Sequence, residues 1–152
     1  MQTVYDVVIA DTSCFILLDK IGELKLLQSL FGQVTTTDVI AAEYGRRLPA
    51  WVIVKPVTNA YLRLTLDIDA GEASAIALAL EYGRPLLILD DDKARKAARK
   101  LNLTLTGSLG IFLKAKQSGI VTSIKPFIEK VQQKNFRYSN KVLGEILSLA
   151  GE

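Results

Sequence analysis

The sequence has no histidine, one cysteine and one tryptophan in 152 residues. Without histidine there is no imidazole general base and no His-containing metal site. With Cys14 alone, a zinc site built from thiolates is excluded, as is an internal disulfide, and the usage fits a reducing cytoplasm. Long apolar runs are also absent. The longest, such as "CFILL" and "AIALAL", are far too short to span a bilayer. The opening "MQTVYDVVIAD" lacks a charged segment followed by an apolar one, so no signal peptide is expected. Any metal bound by such a chain should be a hard cation held by oxygen, Mg²⁺ or Mn²⁺.

What is present is apolar residues and carboxylates. Hydrophobic residues make up 49% of the chain, enough for one sizeable core. The net charge of +3 is compatible with a polyanionic partner and decides nothing alone. We expect one domain over residues 1–152, with no repeats and no linker.

Strand and helix signals alternate. "VYDVVIA" (4–10), "QVTTT", "WVIVKPV", "PLLIL" and "LTLT" read as strands. Pro56 places the third at a sheet edge, and "PLLIL", apolar on both faces, reads as a central parallel strand. Between them lie helices. "TSCFILLDKIG" is capped by Thr12 or Ser13 and stopped by Gly22. "ELKLLQSLFG" ends at Gly32, and "DVIAAEYGRR" is capped by Thr37 or Asp38. "TNAYLRLTLDIDAG" is irregular, and "EASAIALALEYG" then has helical periodicity. "DDKARKAARKLN" is a basic helix, "GSLGIFLKAKQSG" another, and two more follow Ser123, with Ser139 capping the last. The alternation predicts an α/β fold with a central, mostly parallel twisted sheet.

Several carboxylates sit where strands end or helices open. Asp11 follows "VVIA", Asp90 and Asp91 follow "LLIL", and Glu72 opens a helix after Asp69. In a parallel sheet, ligands bind at the carboxyl ends of strands, near the switch in strand order. Each acid also has a plainer reading. Asp69 and Glu72 form a capping box. Asp90, Asp91 and Asp92 can favour a helix N-terminus, Asp11 can cap the first helix, and Glu43 can pair with Arg47 on a helix surface. Together they suggest more. Carboxylates converging at one sheet edge need a cation, and two-metal sites use such ions to activate water and steady the leaving oxygen of a phosphodiester. Thr12 and Ser13 are candidates for contacting Asp11 or a metal-associated water. Ser108 in "TGSLG" is a candidate phosphate contact at a helix N-terminus. Lys93, Arg95, Lys96, Arg99 and Lys100 could follow a phosphate backbone, or form a solvated helix face. Trp51, Tyr61 and Phe112 read as core or interface residues.

These segments resemble the PIN-domain ribonucleases of the VapC-like toxin group over roughly residues 5–150. "VVIADTSCFILLDKIGELKLL" resembles the opening strand with its D-T/S pair. "TTTDVIAAEYG" resembles the second acidic motif. "LDIDAGEASAIALALEYG" resembles the third, in its G-E-A-x-A-I-A-L-A variant. "LLILDDDKARKAARKLNLTLTGSLGIFLKAKQSGI" resembles the fourth, with paired Asp, x-x-A-R and G-T/S-L-G. The resemblance implies a three-layer α/β/α fold and metal-dependent endoribonuclease activity, with Asp11, Glu43, Glu72 and Asp91 as catalytic acids. Asp11, Asp91 and Asp90 would be metal ligands, while the substrate contacts, Thr12, Ser13, Ser108, Lys96 and Lys100, are read from the residues themselves. Many relatives carry Thr two residues before the last Asp, where Leu89 stands here. This leaves the metal-facing residue open between Asp90 and Asp91; spacing to Ala94 and Arg95 favours Asp91, with Asp90 as support and Asp92 toward solvent. The resemblance further implies Mg²⁺ or Mn²⁺, RNA as substrate, a homodimer and a cognate antitoxin. Other readings are an inactive PIN-like module that grips RNA or protein, and a Mg-dependent phosphoryl-handling enzyme. A receiver domain would place its acid pair on the first strand, and a haloacid-dehalogenase-type phosphatase would want Asp at the position of Ser13.

Overall fold

The computed structural model describes residues 5–58 and 67–152. Val4 of the first expected strand, Tyr61 and most of the irregular stretch after Thr58 lie outside the described residues. Five strands form one sheet: β1 (Val7–Ala10), β2 (Val34–Thr37), β3 (Val52–Lys55), β4 (Pro85–Ile88) and β5 (Thr104–Thr106), in the order β3-β2-β1-β4-β5. Every pairing is parallel. Eight helices among the described residues flank the sheet and give three layers: α1 (Thr12–Lys20), α2 (Lys25–Phe31), α3 (Asp38–Tyr44), α4 (Ala70–Ala79), α5 (Asp92–Lys100), α6 (Ser108–Gln117), α7 (Lys125–Gln133) and α8 (Asn140–Leu149).

The strands are short and apolar because helices cover both faces. β1 and β4 are buried at every position and run in register from Val7 opposite Pro85 to Ala10 opposite Ile88. β3 is an edge, as Pro56 required. Val54 and Lys55 are exposed on it, and a Lys followed by Pro discourages pairing with another chain. Among the helices, α4 is the most enclosed. Ala73 through Ala79 are all buried, and its small side chains let it lie close to the sheet. Phe112 of α6 stacks on Phe127 of α7 with centroids 4.9 Å apart and rings nearly parallel.

Helix starts follow the expected caps in two cases. Thr37 accepts from the Ile40 amide at 3.0 Å, and Ser139 from the Val142 amide at 3.1 Å. The first helix differs. It begins at Thr12, with Asp11 rather than Thr12 or Ser13 in the N-cap position, and the Asp11 side chain makes no capping bond.

The strand order fixes where a ligand would go. From β1 the chain moves through β2 to β3 on one side, then returns to lay β4 and β5 on the other. The switch lies between β1 and β4, whose carboxyl ends open side by side. The Asp11 amide donates to the Ile88 carbonyl there at 3.2 Å. β2 supports this edge through buried hydroxyls. Thr36 Oγ1 donates to the Ala10 carbonyl at 2.9 Å, and Thr37 Oγ1 lies 2.7 Å from Ser74 Oγ on α4. Thr37 thus caps α3 and ties it to α4. Thr37→Val removes both bonds at nearly constant volume and should cost about 1–2 kcal/mol, whereas Thr37→Ser should retain most of that stability. Urea denaturation of the two variants measures the difference.

Candidate active site at the β1–β4 switch

Four chain segments bring acids to this edge. Asp11 ends β1, Glu43 lies near the end of α3, Asp69 and Glu72 open α4, and Asp90 and Asp91 lead from β4 into α5. Asp11 is 4% exposed. Burial is the main force pushing its pKa up to about 7. The Thr12 backbone N–H offsets part of this, and the charges of Asp69, Glu43 and Asp90 add to it. Glu72 is also pushed up to about 7, first by burial and then by Asp11, Asp91 and Asp69; the Asp69 backbone N–H works against the rise. These mutual influences show that the acids share one locality. Asp92 is exposed and is not among the charges that disturb either group.

The plainer readings hold in part. Asp69 caps α4, accepting from the amides of Gly71 at 2.8 Å and Glu72 at 3.2 Å, and the Asp69 N–H answers Glu72 as a capping box requires. Asp91 caps α5 through the Ala94 amide at 3.0 Å. Glu43 is not paired with Arg47. Its Oε2 accepts from Thr12 Oγ1 at 3.0 Å, and its carboxylate rests against Gly71. A Cβ at position 71 would stand 2.6 Å from Glu43 Oε2, so glycine there is what lets the carboxylate approach α4.

Asp90 is the most firmly held of the group. It accepts from Ser13 Oγ at 3.0 Å, from the Ser108 amide at 2.7 Å and from Ser108 Oγ at 2.5 Å. Ser108 is fully buried. Read from the sequence as a phosphate contact, it spends its donors on a carboxylate instead. Thr12 and Ser13 likewise donate to acids of the cluster. Lys96, Arg99 and Lys100 are exposed on α5. Arg99 and Lys100 lie in its last turn, where they also complement the helix dipole. Lys93 is drawn to Asp67 at 2.8 Å. Tyr138, in a stretch with no motif, also comes here: its phenol is buried enough, and near enough to Asp90 and Cys14, that its pKa is driven upward.

A cavity of about 430 Å³ lies at the opposite edge of the sheet, between Tyr5, Tyr82 and Leu103, and contains none of these acids. Among the described residues, no three acidic or thiol side chains already stand together as a ready set of metal ligands. The chemistry of the acidic set nevertheless fits a hard divalent cation. All donors are carboxylate oxygens, and Asp11 is a buried carboxylate with no capping bond among neighbours of its own sign. Asp11, Asp90 and Asp91 are the residues that could hold such an ion.

Residues 7–152 match a family model described as PIN domain. No curated protein and no solved structure gives a significant match. No helix among the described residues is long and apolar enough to cross a membrane.

Both raised carboxyls bind protons more tightly folded than unfolded. The metal-free chain should therefore lose stability as pH rises from about 4 to about 7, and lose no more on this account above it. Asp11 contributes a slope of up to about 1.4 kcal/mol per pH unit, and the less buried Glu72 contributes less because solvent screens it. Asp11→Asn should flatten the slope and stabilise the chain at about pH 7.5. Urea denaturation in chelator across this range checks it.

Proposed function

We propose a function on one premise: the chain belongs to the PIN-domain family, whose domains are generally nucleases. The reading is a divalent-metal-dependent endoribonuclease that cleaves RNA phosphodiester bonds and acts as the toxin of a toxin–antitoxin pair. The observation that carries the nuclease reading is Asp11, a buried, uncapped carboxylate at the β1–β4 switch, held near Glu43, Asp69 and Asp90. A fold gains no stability from such crowding. A nuclease needs it to hold cations against a phosphodiester.

The residues divide by what holds them. Asp90 is fixed by Ser13 and Ser108 and gives a rigid negative point. Asp91 uses Oδ2 to cap α5 and keeps Oδ1 for a ligand. Thr12 and Gly71 aim Glu43 across the gap from α3 to α4. Glu72, with its pKa near neutrality, is suited to accept a proton from an attacking water. Bound Mg²⁺ or Mn²⁺ supplies positive charge at the phosphodiester and makes water a better nucleophile at neutral pH. Lys96 and Lys100 extend the site with positive charge, about one and a half and two and a half helical turns beyond the Asp91 cap. RNA needs that charge, because the acids alone repel phosphate. The toxin role, the antitoxin and the homodimer follow from the resemblance of the four acidic motifs.

Single-stranded RNA incubated with the protein should be cleaved with Mg²⁺ or Mn²⁺ and spared with chelator. Asp11→Asn should abolish cleavage while the chain stays folded. The pair Lys96→Ala and Lys100→Ala should weaken RNA binding and lower its log–log salt slope by up to about 0.7 per lost phosphate contact. Metal-independent cleavage, or full activity in the Asp11 variant, would overturn the assignment. An unchanged salt slope would mean that RNA approaches by another surface.

A further inference from the structure

Beside the acids lies a cavity of about 330 Å³ that shares Asp90 with them. It is an open pocket bordered by the end of β5, the starts of α5 and α6, and one face of α8. Leu105, Leu109, Val142 and Ile146 give it apolar walls. Val142 is 39% exposed at the rim, although it is a large apolar side chain on a helix. Tyr138 adds an aromatic ring. Two polar groups face the same space with bonding capacity to spare. Among the described residues the Arg95 side chain makes one hydrogen bond, from Nη1 to the Leu89 carbonyl at 2.8 Å, which uses one of its five guanidinium N–H donors. Among the described residues the Thr106 hydroxyl makes only a 3.4 Å contact to the Gly107 carbonyl. Gly107 and Gly110 keep the passage open. A Cβ at 107 would meet Arg95 and Asp90 within 3.2 Å, and one at 110 would stand 2.2 Å from Thr106 Oγ1.

We propose that this cavity is a nucleobase subsite, which receives one unpaired base beside the phosphodiester held at the acids. The substrate assignment rests on the nuclease reading above. The volume is at the lower end of small-ligand pockets, about 300–1,000 Å³, and suits one ring system. A tyrosine ring and a guanidinium plane are the surfaces on which proteins stack unpaired bases. The Arg95 donors and the Thr106 hydroxyl can bond a base edge, and the Arg95 charge can serve the adjoining phosphate. Asp90 is oriented toward Ser13 and Ser108, which leaves the Arg95 donors to face the base. A peptide partner fits less well, since β5 has three residues to offer an added strand. The subsite makes the protein select single-stranded RNA: a paired, stacked base cannot enter the cavity.

The probes are the four nucleoside 5′-monophosphates, added to the full-length chain in chelator and followed by the amide signals of Gly107 and Leu109. At least one should shift these signals. Val142→Trp, which fills the rim from an exposed position, should abolish the shift. Tyr138→Phe should keep it, and Tyr138→Ala should weaken binding about tenfold. In cleavage assays, an RNA with a single abasic sugar next to the cut site should lose about tenfold in kcat/KM with the wild type and nothing with Val142→Trp. Shifts without RNA cleavage would sink the nuclease reading and leave the subsite standing. Cleavage with no shift by any monophosphate and no abasic effect would overturn the subsite. Shifts untouched by Val142→Trp, with that variant instead blocking a protein partner, would also overturn it and mark the cavity as a docking groove.

Discussion

One electrostatic constraint organises this protein. The Asp11 carboxylate is buried at the end of the first strand, and the nearest strong charges are other carboxylates. Left in its ordinary ionised state it would oppose folding, through lost hydration and through repulsion. The chain meets this by holding a proton on Asp11 and on Glu72 up to about neutral pH. That arrangement is costly for a fold and useful for a site, because a cation can take the place of those protons.

The surrounding structure keeps the acids close despite their repulsion. They are spread over four chain segments, so none can leave without moving a helix or a strand. Ser13 and Ser108 hold Asp90 between α1 and α6, and Thr12 carries Glu43 from α3 back to α1. Buried hydroxyls one layer further out do similar work. Thr37 and Ser74 join α3 to α4, and Ser74 also donates to the Gly71 carbonyl at 2.6 Å, beside the glycine against which Glu43 rests. The small residues of α4 allow this approach. Stability and site geometry are therefore coupled through the same few polar contacts in an otherwise apolar interior.

Much of this was legible in the sequence. A continuous apolar run before Asp90 marks a central parallel strand, and Pro56 marks an edge, because both follow from backbone hydrogen bonding and burial. The acids were readable as strand-end and helix-start residues. Their convergence was not, since it depends on β4 crossing back beside β1, and nothing local in residues 11 or 90 encodes that order. Hydroxyl roles were the hardest to read. Ser108 at a helix N-terminus looks like a phosphate contact until the fold places Asp90 in front of it. The threonines of β2 look like ordinary strand formers until they are seen buried, with α4 above them. Tyr138 lies in a stretch with no motif, and only the packing of the chain between α7 and α8 brings it near Asp90.

If a divalent cation replaces protons at this site, its binding must release them, and that release is the most direct test. Mn²⁺ should be titrated into the chain calorimetrically at pH 7, in buffers of different ionisation enthalpy. With Asp11 and Glu72 both near pKa 7, binding should release about one proton per chain, falling toward none at about pH 8.5. Binding that releases no proton at pH 7, or no binding at all, would contradict the account.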